Sequence, residues 1–271
     1  MFPIGVQVYS VRDHAEKDFR ATLAKIKEFG YDGVEFAGLY GIDAKTVKGW
    51  LDELGLVAVS AHVALDEMLA DPDKCFSDYK TLGCRYIAVP YLDTDRRPGH
   101  ERFEETLADI RKMAEKSKEY GIQMNHDFEF VKIGDKYGYD IIFDSIPADL
   151  LKTEQDTCWV NVAGEDPAAY LVKYTGRAPV VHIKDFVMKN RNAKEGLYEL
   201  IGIKPTERQA DEGDFAFRPA GYGIQDFLSI LEAAKKAGSE WLVVEQDRTC
   251  LGWDSLDCIR KSVDYLKTIN K

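Results

Sequence analysis

No run of about 18 consecutive apolar residues occurs in the chain, so no segment is long enough to span a membrane as a helix. The opening "MFPIGVQVYS" has no basic stretch followed by a long apolar one, and the expectation is that no secretory signal is present. Cysteine is scarce. Cys75, Cys84, Cys158, Cys250 and Cys258 make an odd number with no CxxC pair, which argues for free thiols in a reducing compartment rather than a disulfide scaffold. Positive charge is also in short supply, with 36 Lys and Arg against 47 Asp and Glu and a formal net charge of −11. A nucleic-acid backbone asks for the opposite surface. No GxGxxG follows the first predicted strand, which weakens an open dinucleotide-binding sheet. No glycine-rich phosphate cradle stands out either. These absences set the expectation of a cytoplasmic protein that handles a small molecule, with neither nucleic acid nor membrane as partner. A homo-oligomer is left open.

What is present is a repeat. A charged helix end, a glycine and an apolar strand recur as "KEFGYDGVEFAG", "DELGLVAVSAH", "KTLGCRYIAVP", "KEYGIQMNHDF", "KYTGRAPVVHIKD" and "KKAGSEWLVVEQD". Glycine just past a helix end takes a left-handed conformation without steric cost, and Lys complements the last carbonyls. Phe19, Leu23, Ile26 and Phe29 fall on one face of a predicted helix. Asp166 followed by Pro167 reads as an N-cap with proline at the first helical position. With "IGVQVYS" and "LLKTEQD" added, predicted strands end near Tyr9, Phe36, His62, Pro90, His126, Asp156, His182 and Glu245. Most steps are roughly 26 to 36 residues, the length of one β-α unit. The longer last step places an insertion at about 186–223. Alternating strands and helices imply a parallel sheet with right-handed crossovers. Eight such units predict a (β/α)8 barrel, one domain over residues 1–271.

In such barrels the C-terminal strand ends converge on the face that carries chemistry. The polar residues there are His62, His126, Asp156, His182, Lys184 and Glu245. "PVVHIKD" and "WLVVEQD" are apolar strands that run straight into charge, a costly arrangement unless the charges are paired or coordinated. Asp, His and Glu from separate strands suit a divalent cation. Strand-end acids acting as helix caps are the plainer alternative. Cys158 reads as buried packing.

"MNHDFEF", "DTCWVNVAGEDPAAYLVKYTGR", "VVHIKD", "PAGYGIQDF" and "WLVVEQD", in this order, resemble the xylose isomerase-like TIM-barrel family and its sugar phosphate isomerase/epimerase branch. The resemblance implies a divalent metal, manganese first and magnesium, zinc or cobalt next. Relatives commonly hold it with Glu, Asp, His and Glu from strands five to eight. Carried over, Asp156, His182 and Glu245 match the last three. The strand-five position reads Met124, and a thioether is a poor partner for a hard cation. His126, of the same strand parity, is the expected replacement. Glu129 is a weaker candidate from the following loop.

The implied chemistry is sugar isomerisation or epimerisation through a metal-stabilised enediolate. Glu245 is then ligand and base, His126 a second acid/base, and Lys184 a contact to a substrate oxygen. Asp185 is expected to anchor His182 or Lys184. His62, Trp159, Tyr9 and Phe36 are candidate substrate contacts, since aromatic walls suit the C–H faces of sugars. Arg218 reads as a solvated arginine. The alternative enzymatic reading is a keto-sugar or inosose lyase, dehydratase or hydratase, which needs only one good base. A non-catalytic sugar-binding barrel is the third.

Overall fold

A computed structural model describes residues 1–127, 132–189 and 215–271. Glu129 and most of the insertion after strand seven therefore lie outside the described residues. The barrel strands are β1 (Ile4–Gln7), β2 (Gly33–Phe36), β3 (Val57–Ala61), β4 (Tyr86–Val89), β5 (Gln123–His126), β6 (Leu151–Asp156), β7 (Val180–Ile183) and β8 (Trp241–Val244). They form one parallel sheet in the order β3-β2-β1-β8-β7-β6-β5-β4. The seam between β3 and β4 is joined by a parallel bridge between His62 and Ala88. Val63 N donates to Ala88 O at 3.0 Å and Arg85 N to Val59 O at 3.3 Å. The sheet thus meets itself, as the repeat predicts.

The helix Phe19–Phe29 illustrates the local logic. Asp18 accepts from Ala21 N at its start, Gly30 ends it at φ 88°, and Phe19, Leu23 and Ile26 are buried on one face. Asp166 caps the helix Pro167–Lys173 with proline in its first turn. The main apolar core lies between the sheet and its helices. Inside the barrel a small apolar plug is formed by Val59, Tyr86, Val180 and Val243, with Trp241 packed against them. Gly33 allows the strands to close around it, because a Cβ there would meet Val57 O and Val59 Cγ2 at 2.7 Å. Above the plug the interior turns polar. After β7 the chain continues into an antiparallel ribbon of Asp185–Met188 with Phe215–Arg218. No helix among the described residues is long and apolar enough to cross a membrane.

Candidate active site

Strand alternation decides which side chains enter the barrel. On β7 and its continuation, His182 and Lys184 point inward. On β8 and just beyond it, Glu245 and Asp247 do. On β6, Glu154 and Asp156 do. Between β2 and β3 the register shifts, so that Val34 pairs with Ala58 but Glu35 with Ser60. Such a bulge re-aims side chains, and here Ser60 and His62 both reach Glu35.

His182 is fully buried at the centre. Its Nδ1 lies 2.9 Å from Glu245 Oε2 and 3.9 Å from Asp127 Oδ2. Its Nε2 lies 2.9 Å from Glu35 Oε1 and 3.8 Å from Glu154 Oε2. One ligand-capable atom from each of Asp127, Asp156, His182 and Glu245 falls in a group no more than 4.8 Å across. Glu35, His62, Glu154 and His182 form a second such group one layer nearer the plug. Glu35 in that layer also accepts from Gln7 Nε2 at 2.7 Å and from the Ser60 hydroxyl. His62 Nε2 lies 2.8 Å from Glu154 Oε2. At the cavity floor the Lys184 ammonium reaches Asp156 at 3.0 Å, and Glu245 and Asp247 at 2.9 Å each.

Burial and pairing compete here. Burial disfavours the His182 imidazolium, but Glu35, Glu245 and Glu154 outweigh it and hold its pKa well above the ordinary value. His62 is driven to about 10 in the same way, burial being overcome by Glu35 and Glu154. Burial also opposes the Lys184 ammonium, yet Asp156, Asp247 and Glu245 raise its pKa further. Glu35 falls to about 2 because His182 and His62 overcome its desolvation. Glu154 rises to about 7 through burial and the nearby Glu35 charge. Asp127 is pushed well above the usual carboxylate range by burial, against the pull of His182.

The residues fit a divalent cation. Among the described residues, six buried carboxyl groups (Glu35, Asp127, Glu154, Asp156, Glu245 and Asp247) have His62, His182 and Lys184 as their cationic partners. Asp127 Oδ1 is buried and has no hydrogen-bond partner among the described residues. Hard oxygens with one imidazole are the donor set such an ion takes. Asp127, Asp156, His182 and Glu245 are the residues that would hold it.

The expected strand-five contribution is corrected. His126 is not in either group. It is fully buried with its ring 6.3 Å from that of Phe143, and Met124 lies in the core between sheet and helices. Residues 124 and 126 therefore share the outer face of β5, and Asn125 and Asp127 the inner one. A parity error of one residue reverses every side chain. Phe36 is also corrected. It packs on Phe19 with ring centroids 6.4 Å apart, on the core side. Asp185 anchors neither His182 nor Lys184. It accepts from the backbone N–H groups of Phe186, Gly221, Gly223 and Gln225, and so ties down the chain returning from the insertion. The Arg218 guanidinium donates to Phe217 O and does not line the cavity.

The cavity over this floor has a volume of about 370 Å³. Tyr9, His62, Trp159, Lys184 and Glu245 line it, with Asp127, Asp247 and Glu67. Trp159 is held by stacking on Phe215 at 5.9 Å. Cys158 is buried, and burial pushes its thiol pKa well up. Sequence reading missed Glu35, Asp127, Glu154 and Asp247. Three of them were within its reach, since Glu154 and Asp247 stand two positions from Asp156 and Glu245, and Asp127 adjoins His126.

Residues 23–269 match the family described as xylose isomerase-like TIM barrel. The chain belongs to that family. An inosose dehydratase of Lacticaseibacillus casei is 22% identical over 275 residues, 93% of this chain and 89% of that protein. A sugar phosphate isomerase/epimerase from Parabacteroides distasonis ATCC 8503 superposes with a TM-score of 0.77 at 20% identity, covering 98% of each chain. The IOLI protein with a bound zinc atom superposes with a TM-score of 0.73 at 15% identity, covering 100% of this chain and 98% of that one. At these identities the superpositions speak for a shared fold.

Proposed function

We propose that this family member is a metal-dependent enzyme that dehydrates a polyhydroxylated ketone, either a keto-sugar or a cyclic keto-polyol of the inosose type. The observation that carries the reading is the Lys184 ammonium, 2.9 Å from the Asp247 carboxylate, both lining the floor of the cavity. An acid and a base on the same side suit removal of a proton and a hydroxyl from one face of a substrate. An epimerase needs them on opposite faces. The 22% identity to an inosose dehydratase along nearly the whole chain supports the same choice.

A divalent cation held by Asp127, Asp156, His182 and Glu245 would supply Lewis-acid polarisation of the substrate carbonyl, making the neighbouring C–H more acidic. The remaining work falls to side chains. Asp247 takes the carbon-bound proton. As the C–C double bond forms, the C–O bond one carbon further breaks, and Lys184 protonates the departing hydroxyl to water. The proton then passes from Asp247 to Lys184 over their 2.9 Å contact, which restores both. His62, held between Glu35 and Glu154, binds a substrate oxygen as a charged donor. Trp159 and Tyr9 cover an apolar C–H face.

The test is incubation of Mn2+-loaded protein with keto-sugars and inososes in deuterated water. Expected are loss of one water by mass spectrometry and the ultraviolet absorbance of a conjugated enone. Recovery of epimer carrying deuterium, with no water lost, would overturn dehydration. It would favour isomerisation or epimerisation, with Glu67 as the second acid–base group. Glu67 lines the cavity from the helix that follows β3, three strands around from β8. Sugar binding without turnover or metal would leave a non-catalytic barrel.

A further inference from the structure

Glu35 touches neither substrate nor cation in the chemistry above and serves there only to hold His62, yet it is fully buried and also meets Gln7, Ser60 and His182. It sits mid-barrel beneath the proposed ligands. His182 Nε2 faces Glu35 Oε1 at 2.9 Å, while Nδ1 faces the carboxylates of Glu245 and Asp127. The two ring nitrogens are thus assigned to opposite partners. A nitrogen that ligates a cation must give up its proton, and the other nitrogen then carries it. Glu35 is itself held from two further strands. Gln7 Nε2 donates to Oε1 and the Ser60 hydroxyl to Oε2, so the carboxylate cannot swing away from the imidazole.

We infer that Glu35 is a positioning residue for the metal centre: it holds the His182 proton on Nε2 and aims Nδ1 at the cation. This rests on the proposed metal site. It also explains the bulge between β2 and β3, which brings Ser60 opposite Glu35. The neighbouring alternative is that Glu35, His62, Glu154 and His182 hold a second ion themselves. The number of ions bound per chain separates the two readings.

The test uses Zn2+, which is diamagnetic, on the full chain. Dissociation constants are measured by chelator competition for wild type, Glu35→Gln and Glu35→Ala, and the His182 ring nitrogens are read by 15N NMR in the Zn2+-loaded wild type and Glu35→Gln. Expected is one ion per chain, a protonated Nε2 with a ligating Nδ1, and affinity weaker by about 10–100-fold in Glu35→Ala. Glu35→Gln, which keeps an acceptor for the Nε2–H, should lose less. A purely structural Glu35 would leave the Nε2–H signal of Zn2+-loaded Glu35→Gln where the wild type has it, because the proton on Nε2 is then set by the ion alone. Unchanged affinity in both variants, or a proton on Nδ1, would overturn the inference while leaving the metal site standing. Two ions per chain, the second lost in the Glu35 variants, would also overturn it and make Glu35 a ligand. No Zn2+ on the wild type would remove both readings. If Glu35→Ala fails to fold, Glu35→Gln and the wild-type spectrum still decide.

Discussion

His126 offers a sharp energetic test, because it sits where the strand-five reading expected a ligand. Its ring is fully buried and neither nitrogen has a hydrogen-bond partner among the described residues. Desolvation alone lowers its pKa to about 3. In the unfolded chain it titrates near about 6.5. Between those values the unfolded state holds a proton that the folded state refuses, so stability rises with pH across that window. The penalty is absent above about pH 7 and grows by about 1.4 kcal/mol per pH unit on acidification. At pH 5 it amounts to about 2 kcal/mol, and at pH 3, where the folded-state ring is half protonated, to about 4 kcal/mol. The perturbation is His126→Phe, close in size and free of the stranded nitrogens. Urea unfolding of wild type and variant at pH 7.5 and pH 5 reads the effect. Wild type should lose about 2 kcal/mol more than the variant between the two conditions. The variant should also be more stable at neutral pH by about 1–3 kcal/mol, since a buried unpaired polar group is removed. Divalent-metal binding should be unchanged. Equal pH dependence in the two proteins would refute the burial argument, and loss of metal with the ring would return His126 to the site.

The other predictions concern the inner face. Asp127→Asn should weaken Mn2+ binding more than the about 100-fold seen for outer partners of a metal site, because a ligand oxygen loses its charge; isothermal titration reads this. Lys184→Met strands the Asp156, Glu245 and Asp247 carboxylates without their buried ammonium. It should cost the metal-free protein about 3–5 kcal/mol in urea unfolding, recover part of that with saturating Mn2+, and abolish water loss from substrate. Gly223→Ala places a Cβ 2.1 Å from Asp185 Oδ1 and 2.4 Å from Phe186 O. Those atoms belong to an anchored turn, so the change should cost about 3 kcal/mol or more by overpacking, read as a lowered unfolding midpoint.

The barrel was legible because its signals are local. Gly30, Gly55, Gly83 and Gly238 each end a helix in the left-handed conformation, and the strand that follows each is apolar enough to recognise. The upper site was partly legible because His182, Lys184 and Glu245 interrupt apolar strands. Strand five was not, because Met124, Asn125, His126 and Asp127 offer a polar residue on either face. The physics still favoured one choice. The outer face of a barrel strand meets apolar helices, and the inner face at this height meets charge, so Met124 outward implies Asp127 inward. Glu35 left no local trace. Its partners Gln7, Ser60, His62 and His182 come from other strands, and the bulge that aligns them is a property of pairing rather than of sequence.

The charges inside the barrel are arranged in levels, and the levels are unequal. Over the apolar plug, Glu35 and Glu154 stand against His62 and His182, two acids to two imidazoles, with Glu154 Oε1 left without a hydrogen-bond partner among the described residues. Above them Asp127, Asp156, Glu245 and Asp247 stand against Lys184 and the shared ring of His182. The deficit of positive charge therefore lies at the cavity floor and not in the barrel's depth. A buried carboxylate without a counterion either takes a proton or draws in a cation, and the raised pKa of Asp127 shows that choice at one residue. A divalent ion bound at the upper level would relieve the excess without disturbing the balanced level beneath. It would also draw Asp156 and Glu245 from Lys184, leaving the ammonium with Asp247 and a substrate oxygen. On the proposed reading the lysine would be counterion to these carboxylates without the ion and acid with it, which would account for an ammonium at the end of an apolar strand.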